Sequence, residues 1–374
     1  MKIAVYAICL NEEKFVERFV ACAREADLIQ VADTGSTDKT VSLLEGLGVE
    51  VRHIRIKPWR FDDARNAALA LLPDDIDICV SLDLDTVLNT GWRAALEAAW
   101  TPGTNRAYYS EIWGRHPDGQ PRRFLNNRIH ARHGARWRGP CHECVVNDRT
   151  EEKAVVLKGL VIEQFADPDK SRAQYLPLLE LAAREAPHEP RQAHYYGREL
   201  FFHQRHREAI AEFNRYLSLP GTLFISERNG TMRFLAQCHE AVGEDEAALN
   251  WYRKAVDEAP ALRGPWIDLA WVYYRKEAWA QCWEAAVKAI AIPIGSTEYG
   301  EESNSGVLPE DLACICGWRL GHRQEALQYG RRAVELAPTV ERLRANLAKM
   351  EQILAAEAAG PAVFGQTMEA VARG

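Results

Sequence analysis

Strand-like apolar runs alternate with amphipathic stretches along residues 1–165 of this chain of 374. A run of four to eight residues rich in β-branched side chains is typical of a strand, and apolar residues spaced three and four apart are typical of a helix. Their alternation predicts an α/β domain with a mostly parallel sheet and helices on both faces. The strands are predicted at 2–10, 28–32, 49–56 and 76–82, and the helices at 12–26, from Asp38 onward and at 62–72.

A helical repeat replaces this alternation from about residue 190. Residues 266–273 read Trp-x-x-Leu-Ala-x-x-Tyr, and small residues such as Ala248 and Ala326 mark three further units. Small side chains at fixed positions let paired helices pack closely, and the pattern resembles an all-α tetratricopeptide-repeat solenoid, with alanine where glycine is usual. We predict the α/β domain at 1–165, a connecting linker at 166–189, helical repeats at 190–354 and a cap or disordered tail at 355–374.

The composition is that of an ordinary globular protein, with 47% hydrophobic and 26% charged residues. The net charge of −7 gives no support for nucleic-acid binding. Residues 105–140 are nevertheless basic, with eight arginines against only Glu111 and Asp118. This patch suggests a small anionic ligand, although solvated surface arginine is the simpler alternative. The arginines are Arg106, Arg115, Arg122, Arg123, Arg128, Arg132, Arg136 and Arg138.

Signals for export or membrane insertion are not recognisable in the sequence. The run at 2–10 reads as a strand that Asn11 ends, and no stretch reaches the roughly 18 apolar residues of a membrane helix. Nine cysteines, an odd number without framework spacing, favour free thiols in a reducing compartment. We therefore expect a cytoplasmic protein without a membrane span.

Aspartates stand at the ends of two predicted strands. Asp83 and Asp85 follow the run at 76–82, and Asp33 follows the run at 28–32. Ligands of parallel sheets bind at the carboxyl ends of the strands. Carboxylates there suit Mg²⁺ or Mn²⁺, which binds through one or two of them together with substrate phosphates. The three aspartates indicate a candidate ligand site, and solvated strand ends are the plainer alternative.

Four segments in a fixed order give this half of the chain a family resemblance. They are Asn11–Glu13 (Asn-Glu-Glu), Asp33–Asp38 (Asp-Thr-Gly-Ser-Thr-Asp), Phe61–Asn66 (Phe-Asp-Asp-Ala-Arg-Asn) and Asp83–Asp85 (Asp-Leu-Asp). Together they resemble the inverting glycosyltransferases of family 2, whose fold is the GT-A nucleotide-binding sheet. A smaller subset of that family carries tetratricopeptide repeats after the enzyme domain, and this chain is similar to that subset.

The resemblance implies a UDP-sugar donor, a divalent cation (Mn²⁺ or Mg²⁺) and roles for individual residues. Asp33 would contact the uridine-type base, and Arg65 would lie near the nucleotide or its diphosphate. Asp83 and Asp85 would hold the ribose and the metal. Thr86 stands where the family often has an acidic residue, so one auxiliary contact differs. The nucleotide-sugar site implied in this way comprises Asn11, Glu13, Asp33, Arg65, Asp83 and Arg123.

Two downstream segments, at 122–124 and 137–143, resemble the Arg-x-Phe and Trp-x-Gly-x-x-His-Glu segments of similar transferases with repeats. Inversion at an anomeric carbon requires a base that takes the proton of the acceptor. Glu143 is the candidate base, and Glu111 and Asp118 are its competitors.

Other side chains of these segments receive roles from the same resemblance. His142 would ligate the metal or the diphosphate, and Arg123 would neutralise phosphate. Cys141 and Cys144 flank His142, but a structural zinc site needs four ligands and no second pair stands nearby in the sequence. Ordinary buried thiols are the simpler interpretation.

The sequence as a whole predicts a metal-dependent inverting glycosyltransferase that moves a sugar from a UDP-sugar to a peptide, protein or glycan acceptor near the repeats. Solenoids offer long surfaces for extended partners, and the same surface would serve self-association. The alternative is a catalytically weak or inactive transferase domain in a repeat-based interaction scaffold. A nucleotidyltransferase is a third candidate, although the loop at Asn11–Glu13 lacks the glycines and basic residues of that class.

Overall fold

The computed structural model describes residues 1–115, 121–147, 151–165, 167, 172–222, 224–293 and 306–359. Among these residues the chain forms two compact units, the first covering Met1–Leu223 and the second beginning at Phe224. The boundaries predicted from the sequence stay predictions, and the tail beyond residue 359 lies outside the described part of the chain.

The first unit is built on an eight-stranded sheet with a separate two-stranded ribbon. Strands β1 to β10 span Ile3–Cys9, Leu28–Asp33, Glu50–His53, Ile78–Ser81, Thr86–Leu88, Arg106–Arg115, Pro121–Ala131, Ala135–Arg138, Cys144–Asn147 and Ala154–Gln164, in that order. The order across the large sheet is β3-β2-β1-β4-β7-β6-β10-β5, and β8 pairs with β9 in the ribbon.

One side of the large sheet is parallel, as the alternating pattern predicts. β1 pairs in parallel with β2 and with β4, and β2 pairs in parallel with β3. Beyond β4 the sheet is mixed, because β7 runs antiparallel to both β4 and β6. The basic stretch at 105–140 therefore supplies strands of the same sheet, and one of them lies directly beside β4.

Helices cover both faces of this sheet because successive side chains of a strand point to opposite sides. On β1, Val5 packs on one face with Phe19, and Tyr6 packs on the other with Ala68. Helices α1 to α7 of the first unit span Val16–Ala23, Thr40–Gly46, Phe61–Ala70, Trp92–Ala99, Tyr175–Glu185, Pro190–Phe202 and His206–Ser218.

The second unit is helical throughout its described residues. Helices α8 to α14 span Ile225–Ala241, Asp245–Glu258, Arg263–Arg275, Trp279–Ala291, Leu308–Leu320, Arg323–Leu336 and Glu341–Ala359. Successive helices pack as the pairs α8–α9, α10–α11 and α12–α13, which is the arrangement that the repeat predicts. Nowhere in the described ranges does a helix combine the length and the apolar character that a membrane span requires.

Gly317 of α12 marks a close approach between helices of the second unit. A Cβ atom at this position would lie 2.1 Å from Cζ3 of the Trp283 indole on α11. We expect Gly317→Ala to destabilise the protein by about 1–3 kcal/mol, because overpacking outweighs the better helix propensity of alanine. Urea denaturation of the full chain measures the change. The control is Gly46→Ala, where nothing lies within 4 Å of the added Cβ; equal midpoints for the two variants would contradict the prediction.

Candidate active site

Asp33, the last residue of β2, is held by the turn that follows it. Its carboxylate accepts hydrogen bonds from the backbone N–H groups of Gly35 at 3.1 Å and Ser36 at 3.0 Å. Gly35 has a φ of 118°, which favours glycine in this turn. Burial alone would raise the pKa of Asp33, but the hydrogen bonds from Ser36 and Gly35 outweigh it and lower the pKa. Asp33 is therefore an ionised and fixed acceptor at the carboxyl end of its strand.

Asn11 and Glu13 tie the loop after β1 to the same turn. The side-chain oxygen of Asn11 accepts from the Thr37 backbone N–H at 2.8 Å, and Oε2 of Glu13 accepts from the Lys39 backbone N–H at 3.0 Å. In this structure both side chains shape the turn that presents Asp33. A direct contact with a nucleotide sugar stays a prediction for both.

Arg65 lies at the centre of a buried ion-pair network. It projects from α3, and its side chain is 4% exposed. Its Nε donates to Oε1 of Glu143 at 2.5 Å, and its Nη2 donates to Oδ1 of Asp83 at 2.6 Å. The guanidinium also lies over the Trp137 ring, with Cζ 4.9 Å from the ring centroid. Arg65 and Asp83 are both predicted to contact the donor, and Glu143 is predicted to be the base. The structure brings these three side chains together.

Local contacts explain how Glu143, far along the chain, reaches α3. The side-chain amide of Asn66 donates to the Trp137 carbonyl at 2.9 Å and accepts from the Trp137 N–H at 2.8 Å. This two-bond clamp fixes β8 against α3. The chain then returns through Glu143 to β9, and the Glu143 side chain, 6% exposed, meets Arg65.

Arg128 also belongs to this network, although no sequence motif predicts a role for it. It projects from β7, and its Nη1 donates to Oδ2 of Asp83 at 2.6 Å. Burial alone would raise the pKa of Asp83, but the charges of Arg65 and Arg128 outweigh it and hold the pKa far below its ordinary value. The many arginines at 105–140 indicate that one of them could reach the aspartates. Only the antiparallel pairing of β7 with β4 identifies that arginine as Arg128.

Arg123, predicted to neutralise phosphate, and Glu111, a competitor for the role of base, make other contacts. Arg123 is exposed, and its Nη1 donates to the Ser110 hydroxyl at 2.9 Å. Glu111 is buried and accepts from Trp113 Nε1 at 2.8 Å and from Asn126 Nδ2 at 2.5 Å. These bonds give Glu111 a structural task between β6 and β7. Asp118, its fellow competitor for the role of base, lies outside the described residues.

The predicted metal ligands differ in how well they suit a cation. Both carboxylate oxygens of Asp83 accept hydrogen bonds from arginines, whose positive charges oppose the approach of a cation. Oδ2 of Asp85 accepts a long hydrogen bond, 3.3 Å, from Gln164 Nε2. Within the described ranges no group of three or more His, Cys, Asp or Glu residues is arranged to hold a metal ion. A cation that also binds the donor diphosphate needs only one or two carboxylates, and Asp85 fits that requirement.

His142 is directed towards helices α5 and α6 of the same unit. Its ring stacks on Tyr195 at a centroid distance of 4.1 Å and an interplanar angle of 16°. Its φ of 51° is left-handed, and its carbonyl accepts from Arg191 Nη2 at 3.3 Å. Burial, together with the charges of neighbouring arginines, lowers the pKa of His142 to about 3, so the imidazole is neutral near pH 7. Metal ligation by His142 stays a prediction.

Comparison with known families agrees with this geometry. Residues 4–144 match the model of glycosyl transferase family 2. The chain carries a family 2 glycosyltransferase domain. The match begins in β1 and ends in β9, so it includes Asp33, Arg65, Asp83 and Glu143 of the transferase domain. The chain is thus a glycosyltransferase with a helical repeat region after the transferase domain.

Several solved structures are similar to part of this chain, and some of them are described as TPR proteins. MamA is 16% identical over 43% of this chain and 79% of its own, with a TM-score of 0.35. TTC0263, a thermophilic TPR protein of Thermus thermophilus, is 18% identical over 47% of this chain and 89% of its own, with a TM-score of 0.33. A search of curated proteins gave no match.

Proposed function

We propose that the protein is a metal-dependent inverting glycosyltransferase that moves a sugar from a UDP-sugar to a peptide, protein or glycan acceptor. The observation that carries the proposal is the placement of Arg65 between Asp83 and Glu143. One guanidinium links the strand-end aspartate, assigned to the donor, with the acid assigned to the acceptor. A displacement between donor and acceptor requires two carboxylates with different tasks, and here they contact one arginine.

The donor lies along the carboxyl ends of β2 and β4 in this proposal. Asp33 accepts a hydrogen bond from the base, and Asp83 accepts one from the ribose. Arg128 and Arg65 lie at the Asp83 carboxylate and offer positive charge to the diphosphate. A divalent cation held by Asp85 would supply Lewis-acid neutralisation of the same diphosphate. Cysteine usage favours a reducing cytoplasm as the compartment.

Transfer proceeds as a single displacement. The acceptor heteroatom forms a bond to the anomeric carbon while the bond from that carbon to the diphosphate oxygen breaks, and its electron pair leaves with UDP. Glu143 takes the proton of the acceptor. Because the leaving group and the nucleophile occupy opposite sides of the anomeric carbon, the configuration inverts.

Donor hydrolysis tests the proposal without knowledge of the acceptor. A panel of UDP-sugars is incubated with the full chain and Mn²⁺ or Mg²⁺, and UDP release is measured beside the thermal shift that UDP produces. We expect a metal-dependent shift with UDP and release from at least one donor. Absence of both at saturating UDP and metal would favour the inactive scaffold. A larger shift with ADP or GDP would overturn the donor assignment.

The metal assignment predicts the behaviour of Asp85→Ala. This variant is expected to lose the part of the UDP thermal shift that depends on Mn²⁺, because it removes the carboxylate best suited to the cation. Asp74→Ala is the control, since the Asp74 side chain is 94% exposed at the opposite end of β4. A Mn²⁺-dependent shift that survives in Asp85→Ala would show that the metal is held elsewhere.

A further inference from the structure

The last residues of three neighbouring strands lie side by side at the carboxyl end of the sheet. Cys9 ends β1, Asp33 ends β2 and His53 ends β3, and the parallel pairing of these strands places the three residues in register. Side chains in register on neighbouring strands point to the same face of a sheet. The thiol of Cys9 and the imidazole of His53 therefore flank the Asp33 carboxylate, which is the proposed contact for the base.

Donors that cannot easily move occupy much of the Asp33 carboxylate. Oδ1 accepts from the Ser36 N–H at 3.0 Å and from the Cys9 thiol at 3.5 Å, and Oδ2 accepts from the Gly35 N–H at 3.1 Å. Burial raises the pKa of Cys9, so the thiol keeps its proton and donates it. The turn fixes the two backbone donors, and the buried end of β1 fixes the thiol.

His53 supplies a further donor to this carboxylate, and it differs from the others because its side chain is free to move. Nδ1 of His53 lies 3.3 Å from Oδ2 of Asp33. An ionised carboxylate only accepts, so Nδ1 carries the hydrogen and donates it. The His53 side chain is 69% exposed, whereas that of Asp33 is 3% exposed. The imidazole can therefore turn into solvent without disturbing the core, and its departure frees an acceptor position on Oδ2.

We propose that His53 competes with the nucleobase for Oδ2 of Asp33, so that UDP binding displaces its imidazole. This inference rests on the proposed function, of which it specifies how the base is selected. The imidazole N–H and the N3–H of uracil are equivalent donors, and one acceptor position serves one of them at a time. Because Ser36 and Cys9 keep Oδ1 occupied, the freed position is single. It therefore suits uracil, with one N–H on its edge, better than guanine, whose two adjacent donors pair with both oxygens of a carboxylate.

Two substitutions of His53 test this competition, because His53→Leu removes the donor and His53→Gln keeps an N–H donor. The affinity for UDP is measured by titration calorimetry with the full chain and Mn²⁺. We expect His53→Leu to bind UDP about two- to fivefold more tightly, since an exposed contact to a charged group contributes modestly. We expect His53→Gln to bind UDP as the unmodified protein does. His133→Leu is the matched control, because His133 is exposed and contacts the Asp74 carbonyl instead.

The nucleotide N3-methyl-UDP shows whether the gain in affinity arises at Asp33. It has no N3–H and cannot use the freed acceptor, so we expect His53→Leu to bind it no more tightly than the unmodified protein does. Weaker or unchanged UDP binding in His53→Leu, or an equal gain for both nucleotides, would overturn the inference and leave the proposed function standing. UDP that binds neither protein at saturating Mn²⁺ would refute the proposed function, and the inference with it.

Discussion

Replacing Arg65 with leucine is expected to lower the free energy of unfolding by about 3–5 kcal/mol, as removal of one partner from a buried ion pair does. The substitution leaves Glu143 buried beside an apolar side chain, and it leaves Asp83 with Arg128 as its remaining arginine. Urea denaturation of the full chain measures the loss. The same variant is expected to lose UDP-sugar turnover, because Arg65 no longer links Asp83, the proposed donor contact, with Glu143, the proposed base.

An exposed arginine provides the comparison for Arg65→Leu. Arg24→Leu is the control, since Arg24 is exposed after α1, and it should change stability by no more than about 0.5 kcal/mol. Equal losses of stability in Arg65→Leu and Arg24→Leu would contradict a stabilising buried ion pair at Arg65.

Changing Glu143 to glutamine is expected to reduce turnover about 10²–10⁴-fold while the affinity for UDP changes little. Glutamine keeps the size of the side chain and an oxygen for the Arg65 Nε–H, but it cannot take the acceptor proton. Single-turnover transfer and UDP-dependent thermal shifts separate the two effects.

The competing acids provide the comparison for Glu143. Glu111→Gln is expected to keep most of its turnover, because Glu111 is committed to Trp113 and Asn126. Asp118→Asn is measured beside it. Collapse of turnover in either variant, with normal turnover in Glu143→Gln, would move the base to that residue.

Much of the transferase domain could be predicted because its strands and helices are encoded in short, continuous segments of the sequence. The strands at β1, β2 and β4 are short apolar runs, and such runs are readable without partners. Asp33 ends β2 and Asp83 follows β4, so the parallel topology alone places both aspartates at the carboxyl ends of the strands. The helix pairs of the second unit follow from repeated small residues in the same way.

The network around Arg65 could not be predicted in full, because it depends on pairings distant in sequence. Arg128 meets Asp83 only because β7 enters the sheet antiparallel to β4, and no local pattern sets that pairing. The family resemblance indicates Glu143 as the base, whereas its contact with Arg65 depends on the Asn66 clamp on β8. The resemblance predicts that His142 binds metal or phosphate, whereas its stack on Tyr195 joins two segments that the sequence predicts in different domains.

The stack of His142 on Tyr195 also limits how this enzyme can diversify. Repeat arrays usually change by gain, loss or exchange of units, because each unit contacts only its neighbours. Here α6 also contacts the segment that carries the proposed base, so exchange of this helix would disturb the proposed chemistry. We expect sequence variation to be tolerated in the later repeats. We expect α6, in contrast, to evolve together with the transferase domain.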